Sequence, residues 1–300
     1  MGKVLVLNDT DRALARKRAK EKILKILANV FIYIVLLLMY APIVYIVVFS
    51  FTDHSTTGMW ANTTLENYTT LFDPNNDYAV SIWTAAKNTA ILALSAATVA
   101  TILGTLGAIG IYYTRKKWIK NSMDFLTQIP VVNAEIVTAV SLCILFVFLS
   151  RFIPLSFFSL LVGHVVLAIP YVVMSVEPKL EQMDPSLYEA AMDLGATQTK
   201  ALWKVIIPDI VPGILSGFLL SITLSLDDYV ITAFTKPEEE GFETISTYVD
   251  AVTKKKGLPT QFRAFTAILF AVILIVMIVM NVRSHHKSRE ISKKEKNKND

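Results

Sequence analysis

The chain has 300 residues, 53% of them hydrophobic, with a mean hydropathy of +0.49 and a net charge of +4. That much apolar content in long unbroken runs excludes an ordinary soluble domain. The single cysteine, Cys143, excludes an internal disulfide and any cysteine-cluster metal site, and the absence of a G-x-x-x-x-G-K-[ST] sequence means that the chain does not bind ATP through a P-loop.

Residues 1–26 read as a basic arm, because residues 1–25 carry eight Lys/Arg against three acids. The apolar run that follows, about 27–51, is too long for a signal-peptide core and is expected to be an uncleaved first membrane helix, kinked at Pro42. Residues 52–87 hold Asp53, Glu66, Asp73 and Asp77 against Lys87 alone and read as an external loop with room for a short helix. A second span is expected over about 88–113. Its Ala93, Ala97, Thr101 and Gly104 to Ala108 put small residues at helical spacing, which lets helices approach closely in lipid. Gly104, Gly107 and Gly110 have the wrong spacing for a dinucleotide fingerprint and lie in an apolar run.

Arg115, Lys116, Lys117 and Lys120 make the next loop basic. A third span is expected over about 125–149, with Pro130 near its start and Glu135 toward its inner end, and a fourth over about 157–176, with His164 and Pro170 inside. His164 reads as a packed, hydrogen-bonded histidine, and Cys143 as a buried small hydrophobe. Residues 178–204 form a polar segment. Within it Asp184-Pro185 starts a helix, since Asp caps and Pro suits the first turn. Gly195 stops or bends that helix, and a second short helix over Thr197 to Val205 ends at a boundary near Pro208-Asp209. The fifth and sixth spans are expected over about 211–234 and 262–282, joined by a mixed-charge loop over 235–261. The tail, 283–300, carries seven Lys/Arg. Runs of about 20 apolar residues suit the hydrocarbon core of a bilayer, and six such spans put both termini on one side. The Lys/Arg excess on the arm, the 114–124 loop and the tail assigns that side, and the 178–204 segment with it, to the cytoplasm.

Glu189-Ala190-Ala191, Gly195 six places after the Glu, and Val205-Ile-Ile-Pro208 resemble the cytoplasmic EAA loop of ABC-importer permeases, with Val205 and Ile207 at the two aliphatic places of the pattern. The resemblance implies an all-α integral membrane protein with six transmembrane helices in the type I ABC importer permease fold. Glu189, Ala190, Ala191, Asp193, Gly195 and Pro208 would then form the coupling helix that docks on an ATPase. Further segments, Pro130 to Leu142, Ser159 to His164, Ala168 to Val173 and Leu224 to Phe234, resemble the C-type permease group of spermidine/putrescine importers over most of residues 80–282. Asn133-Ala134 stands where members often have proline, and the Lys254-Lys255-Lys256 cluster is unusual near the mouth of a cation path. The family implies a heteromeric assembly: a second homologous permease, two copies of an ABC ATPase that binds the ATP and Mg, and an external polyamine-binding protein, all in or at a bacterial inner membrane. It implies no catalysis and no cofactor in this chain, and no nucleic-acid partner.

The residues carry their own argument about cargo. A carboxylate at the bilayer centre costs about 2.5–3.5 kcal/mol on insertion scales and usually faces a bundle interior or a water cavity. Asp227 and Asp228 are adjacent, so on one helix their side chains diverge by roughly 100° and at most one points into a path. About 22 Å of helix separates them from Pro212, which puts them in the outer half of the fifth span. One of them, with Glu135 and an aromatic such as Tyr171 or Tyr229 in cation–π contact, is a candidate polyamine site; the alternatives are a hydrogen-bonded structural pair, an interfacial Glu135 and tyrosines packed in the core. Three rival functions remain. A permease of the same fold for iron, thiamine or a sugar would differ only in cargo. An ion-coupled secondary carrier would show inverted repeats and broken helices at matching places, and the sequence displays neither. An intramembrane enzyme would need an H-E-x-x-H set, a G-x-S-x-G turn or facing carboxylates on separate helices, which the adjacent Asp227 and Asp228 do not supply.

Overall fold

The computed structural model describes residues 9–54, 58–151, 154–237, 242–255, 257–275 and 277–279. Among these, five helices are long and apolar enough to cross a membrane, or six if a sharply bent pair counts as one span. The chain divides into two compact units, Asp77–Gly257 and the flanking parts on either side of it. The tail, 283–300, and the first eight residues of the basic arm lie outside the described residues.

The flanking unit opens with α1, Asp9–Phe49, which continues through Pro42, so helix reaches well into the expected arm. The short α2, Glu66–Leu71, stands in the expected external loop. Buried Asn67 donates to the carbonyls of Ser50 and Thr52 (both 2.8 Å), which ties the loop back to the end of α1. The last span among the described residues is Thr260–Val279, whose Arg263 donates to the His54 carbonyl at 3.0 Å.

The central unit contains α3, Asp77–Tyr113; α4, Lys117–Val132; α5, Glu135–Phe148; α6, Phe157–Gln182; α7, Pro185–Asp193; α8, Gln198–Ala201; α9, Ile207–Asp227; α10, Val230–Thr235; and α11, Ile245–Lys255. Its core is the meeting of α3, α6 and α9, filled by Ala96, Ala100, Ala108, Val165, Ala168, Val172, Val176, Leu180 and Ile210. Small residues set the spacing, as expected in lipid. A Cβ on Gly104 would lie 2.7 Å from the Cβ of Val172, and one on Gly217 would lie 3.1 Å from the Cα of Val172, so α6 is gripped from both sides at one residue.

Several expected boundaries are corrected. α3 starts at Asp77, because residues 77–87 are themselves largely apolar and bury Ala79, Ile82 and Ala85. The third span is not continuous: α4 and α5 meet at a bend of 103°, with Asn133 and Ala134 both extended. Pro130, three residues upstream, cannot donate to the α4 ladder, and the helix stops soon after it. The fifth span is also broken. α9 ends at Asp227, Asp228 is extended (φ −61°, ψ 129°), and α10 starts at Val230. Broken helices, which the sequence did not display, are therefore present twice. The 235–261 loop contains α11. The expected boundary at Pro208 is absent: a π-turn over Leu202–Ile206 runs straight into α9, and the Ile207 amide bonds five residues back to the Leu202 carbonyl. The wider turn accommodates a proline in the first turn of α9, since it needs no carbonyl partner. Cys143 is half-buried rather than buried.

Close approach at Val172 makes a testable demand. Gly104→Ala should destabilise the purified protein by about 1–3 kcal/mol, the usual cost of overpacking. Gly110→Ala, with nothing within 4 Å of the added methyl, should be neutral or slightly stabilising. Thermal unfolding of both variants in detergent reads the difference.

Candidate functional site: a two-break cavity and an exposed loop

Both helix breaks open onto one cavity of about 310 Å³, lined by Pro130, Val131, Asn133, Glu135, Leu167, Tyr171, Leu224, Asp227, Asp228, Tyr229 and Val230. All five residues expected along a substrate path, Asp227, Asp228, Glu135, Tyr229 and Tyr171, line it. Glu135 stands at the start of a helix rather than within one continuous span. It begins α5 directly after the 133–134 break, in the first helical turn, where a carboxylate is favoured by the helix dipole, and its side chain reaches that of Asp228.

The two adjacent aspartates have different lives. Asp228 is buried and turns onto its own backbone, accepting from the Ile231 amide (3.2 Å), the Thr232 amide (2.9 Å) and the Thr232 hydroxyl (2.8 Å). It does for α10 what a capping residue does for any helix start. Asp227, the last residue of α9, is exposed. The reason is the break itself, because leaving the helix between the two residues sends their side chains to different surroundings.

Around Asp228 lies a polar set that the sequence reading did not assemble. His164 of α6, buried, bonds Ser225 through Nδ1 (2.7 Å) and Thr232 through Nε2 (3.0 Å), and its Nε2 lies 3.4 Å from the Asp228 carboxylate. The hydroxyl of Ser246 in α11 donates to the Asp228 carbonyl at 2.7 Å. The only signal in the sequence was a serine and a threonine seven places apart in an apolar stretch, facing a lone histidine on another helix. Just past the break, the Tyr229 hydroxyl donates to Asp250 (2.9 Å), which also pairs with Lys254 (2.8 Å). The hydrogen bonds from Lys254 and Tyr229 hold the Asp250 carboxyl below its ordinary range. Lys254, one of the three lysines that looked misplaced beside a cation path, thus has its charge partnered.

The second candidate site is the loop after α6. Asp184 accepts from the Ser186 amide at 2.9 Å, with Pro185 in the first turn, so α7 starts as expected; that amide also holds the Asp184 carboxyl below its usual range. The helix ends in a Schellman arrangement, with the Gly195 amide bonded to the Met192 carbonyl (2.9 Å) and the Ala196 amide to the Ala191 carbonyl (3.0 Å). Gly195 sits at φ +80°, a conformation that favours glycine. Thr197 then caps α8 by accepting from the Lys200 amide. Glu189, Ala190, Asp193 and Pro208 are exposed, Ala191 is half-buried, and Leu187 and Leu194 stand out into solvent at 48% and 89% exposure. The other face is held by Tyr188, whose ring lies 5.7 Å from that of Tyr113 at the end of α3.

Comparison with known proteins decides the family. Residues 100–289 match the family described as binding-protein-dependent transport system inner membrane component. The chain belongs to that family. The spermidine/putrescine transport system permease protein PotC of Haemophilus influenzae is 34% identical over 84% of this permease and 94% of its own length. The PotC protein of Escherichia coli K12 is 32% identical over 84% and 91% respectively. A bacterial ABC transporter crystal structure, involved in the import of the acidic polysaccharide alginate, superposes with a TM-score of 0.64 at 18% identity, covering 88% of this permease and 97% of that chain, a likeness of fold. This chain is therefore a multi-pass inner-membrane permease subunit of an ABC transport complex, and works together with other subunits.

The capping role of Asp228 separates it from its neighbour in stability. Asp228→Ala should cost about 1–3 kcal/mol by leaving two buried amides without their acceptor, whereas Asp227→Ala should stay within about 0.5 kcal/mol. Chemical denaturation in detergent, with amide exchange over 230–235, checks both.

Proposed function

We propose that this permease forms half of the transmembrane path of an ATP-driven importer for polyamines, with both termini and the 184–208 loop in the cytoplasm. The observation that carries the reading is the convergence of Glu135, Asp227 and Asp228, with Tyr171 and Tyr229, on one cavity at two helix breaks. In a low-dielectric setting, neighbouring carboxylates repel unless a proton or a cation offsets their charge. A flexible polycation offsets it while losing its own water shell, and the two tyrosine rings offer cation–π faces to its ammonium groups. The names of the relatives point to the same class of cargo.

The drive comes from outside the chain. A second homologous permease completes the path, an external polyamine-binding protein delivers the cargo, and two copies of an ABC ATPase bind the ATP and Mg. The α7 face that carries Glu189, Ala190 and Leu194 docks on one ATPase copy; its small alanines permit close approach, and Leu194 supplies apolar area that is otherwise in water.

The test uses the assembled transporter in proteoliposomes. Glu135→Gln and Asp227→Asn should each lower spermidine uptake about tenfold or more, the scale expected for removing a charge from a desolvated cation site. Glu189→Ala should lower ATPase stimulation while leaving cargo capture by the receptor unchanged. Uptake at the wild-type rate in both carboxylate variants refutes the cation path, and normal coupling without Glu189 refutes the docking face.

A further inference from the structure

Of the buried ionisable groups in the central unit, His164 has no place in the path described above, yet it is among the most enclosed residues of the fold, at 1% exposure. It sits on α6 and bonds one residue from each of the two helices that meet at the Asp228 break: Ser225 of α9 and Thr232 of α10. Proton bookkeeping gives this set a direction. Thr232 donates its hydroxyl hydrogen to the Asp228 carboxylate, so its oxygen is left to accept, and the hydrogen on His164 must lie on Nε2. A neutral ring then has a bare Nδ1, which accepts from the Ser225 hydroxyl. The result is a one-way series: Ser225 O–H to Nδ1, Nε2–H to Thr232, Thr232 O–H to Asp228. Each donor is used once, and the series ends on the carboxylate that starts α10.

We infer that His164 is a positioning residue for the cargo cavity: through Thr232 it holds Asp228 and the α9–α10 break in the one arrangement that leaves Asp227 and Tyr229 on the cavity wall. The inference rests on the cation-path reading of that cavity. Bulk alone would not require it, because α10 is already packed on α6 at Gly163, where a Cβ would meet Ile231 at 2.7 Å, and is tied there by the Ser159 hydroxyl, which reaches the Thr235 carbonyl at 3.2 Å. What His164 adds is direction, by fixing which way the Thr232 hydroxyl points and hence which Asp228 oxygen is occupied.

Two near-isosteres separate that role from space filling. The side-chain amide of glutamine places its nitrogen near the Nε2 position and keeps the donor to Thr232, whereas that of asparagine reaches only the Nδ1 position and keeps the Ser225 partner. In the fully assembled transporter, spermidine taken up per ATP hydrolysed should stay within about twofold of wild type in His164→Gln and Thr232→Ser, and fall about tenfold in His164→Asn and Thr232→Val. The double variant H164N/T232V should be no worse than either single one, since both remove the same link. Equal behaviour of the Gln and Asn variants, or losses that multiply in the double variant, overturns the inference. If the His164→Asn complex does not assemble, Thr232→Val against Thr232→Ser in the wild-type background decides in the same way. The outcome is separable from the cargo reading: that reading falls with undiminished uptake in Glu135→Gln and Asp227→Asn, and this one falls on the His164 and Thr232 pairs alone.

Discussion

A helix interrupted inside an apolar layer must find partners for the backbone groups it frees, since water is not there to take them. At residue 228 a single carboxylate meets that demand. Asp228 accepts from the amides of Ile231 and Thr232, and its own carbonyl receives the hydroxyl of Ser246. With those bonds in place the chain can leave α9, turn and start α10 with the Ile231 and Thr232 amides supplied with an acceptor. Without them the fifth span would have to continue as one helix, Asp227 and Asp228 would project about 100° apart, and the cavity would lose one wall. The 133–134 break is built differently. It lacks a side-chain cap, and the first turn of α5 is closed by the Ala134 carbonyl, which accepts from Val137 and Thr138.

The second requirement is stiffness between the two sites. α6 runs from Phe157 to Gln182 and α9 from Ile207 to Asp227, so each reaches from the cavity to the exposed loop. His164 sits near one end of α6, and Asp184 follows the other, about 30 Å away at 1.5 Å per residue. The shared core of alanine, valine and glycine leaves little room for one helix to slide on the other, because interiors packed to contact resist small deformations. The α7 loop and the Asp228 cap are thus joined through one continuously packed pair of helices. Tyr188 against Tyr113 packs α7 on the end of α3 as well.

Charge around the cavity is divided by task. Asp228 spends its acceptor capacity on backbone and on Thr232, and so serves the fold. Glu135 and Asp227 carry no such backbone duty, and Asp227 is exposed. Lys254, which would repel a cation near the mouth, is paired with Asp250, and Asp250 in turn holds the Tyr229 hydroxyl. Exposed pairs of this kind contribute little to stability, but this one removes a free positive charge from beside the cavity.

Much of this was legible in the residues. Hydropathy runs located the spans because a membrane helix must be apolar over its full length. The small-residue stripe of α3 marked the core, and Asp184-Pro185 with Gly195 marked both ends of α7, since capping and positive φ are local properties of a few residue types. Of the five expected path residues, Glu135, Asp227 and Asp228 were identified from the rarity of charge in apolar runs, and Tyr171 and Tyr229 as aromatic faces for a cation. What the residues in order did not decide was where helices break and which groups then meet. The breaks at 133–134 and 228–229 lie in sequence that reads as continuous helix, and Pro208 looked like a boundary but sits inside one. Those outcomes turn on partners distant in the chain: Ser246 is 18 residues from Asp228, and His164 lies 68 residues before Thr232. Local propensity shows which segments can be helical. Only the packed helices decide where a backbone can be interrupted, because only there do the donors and acceptors that replace the lost ladder come together.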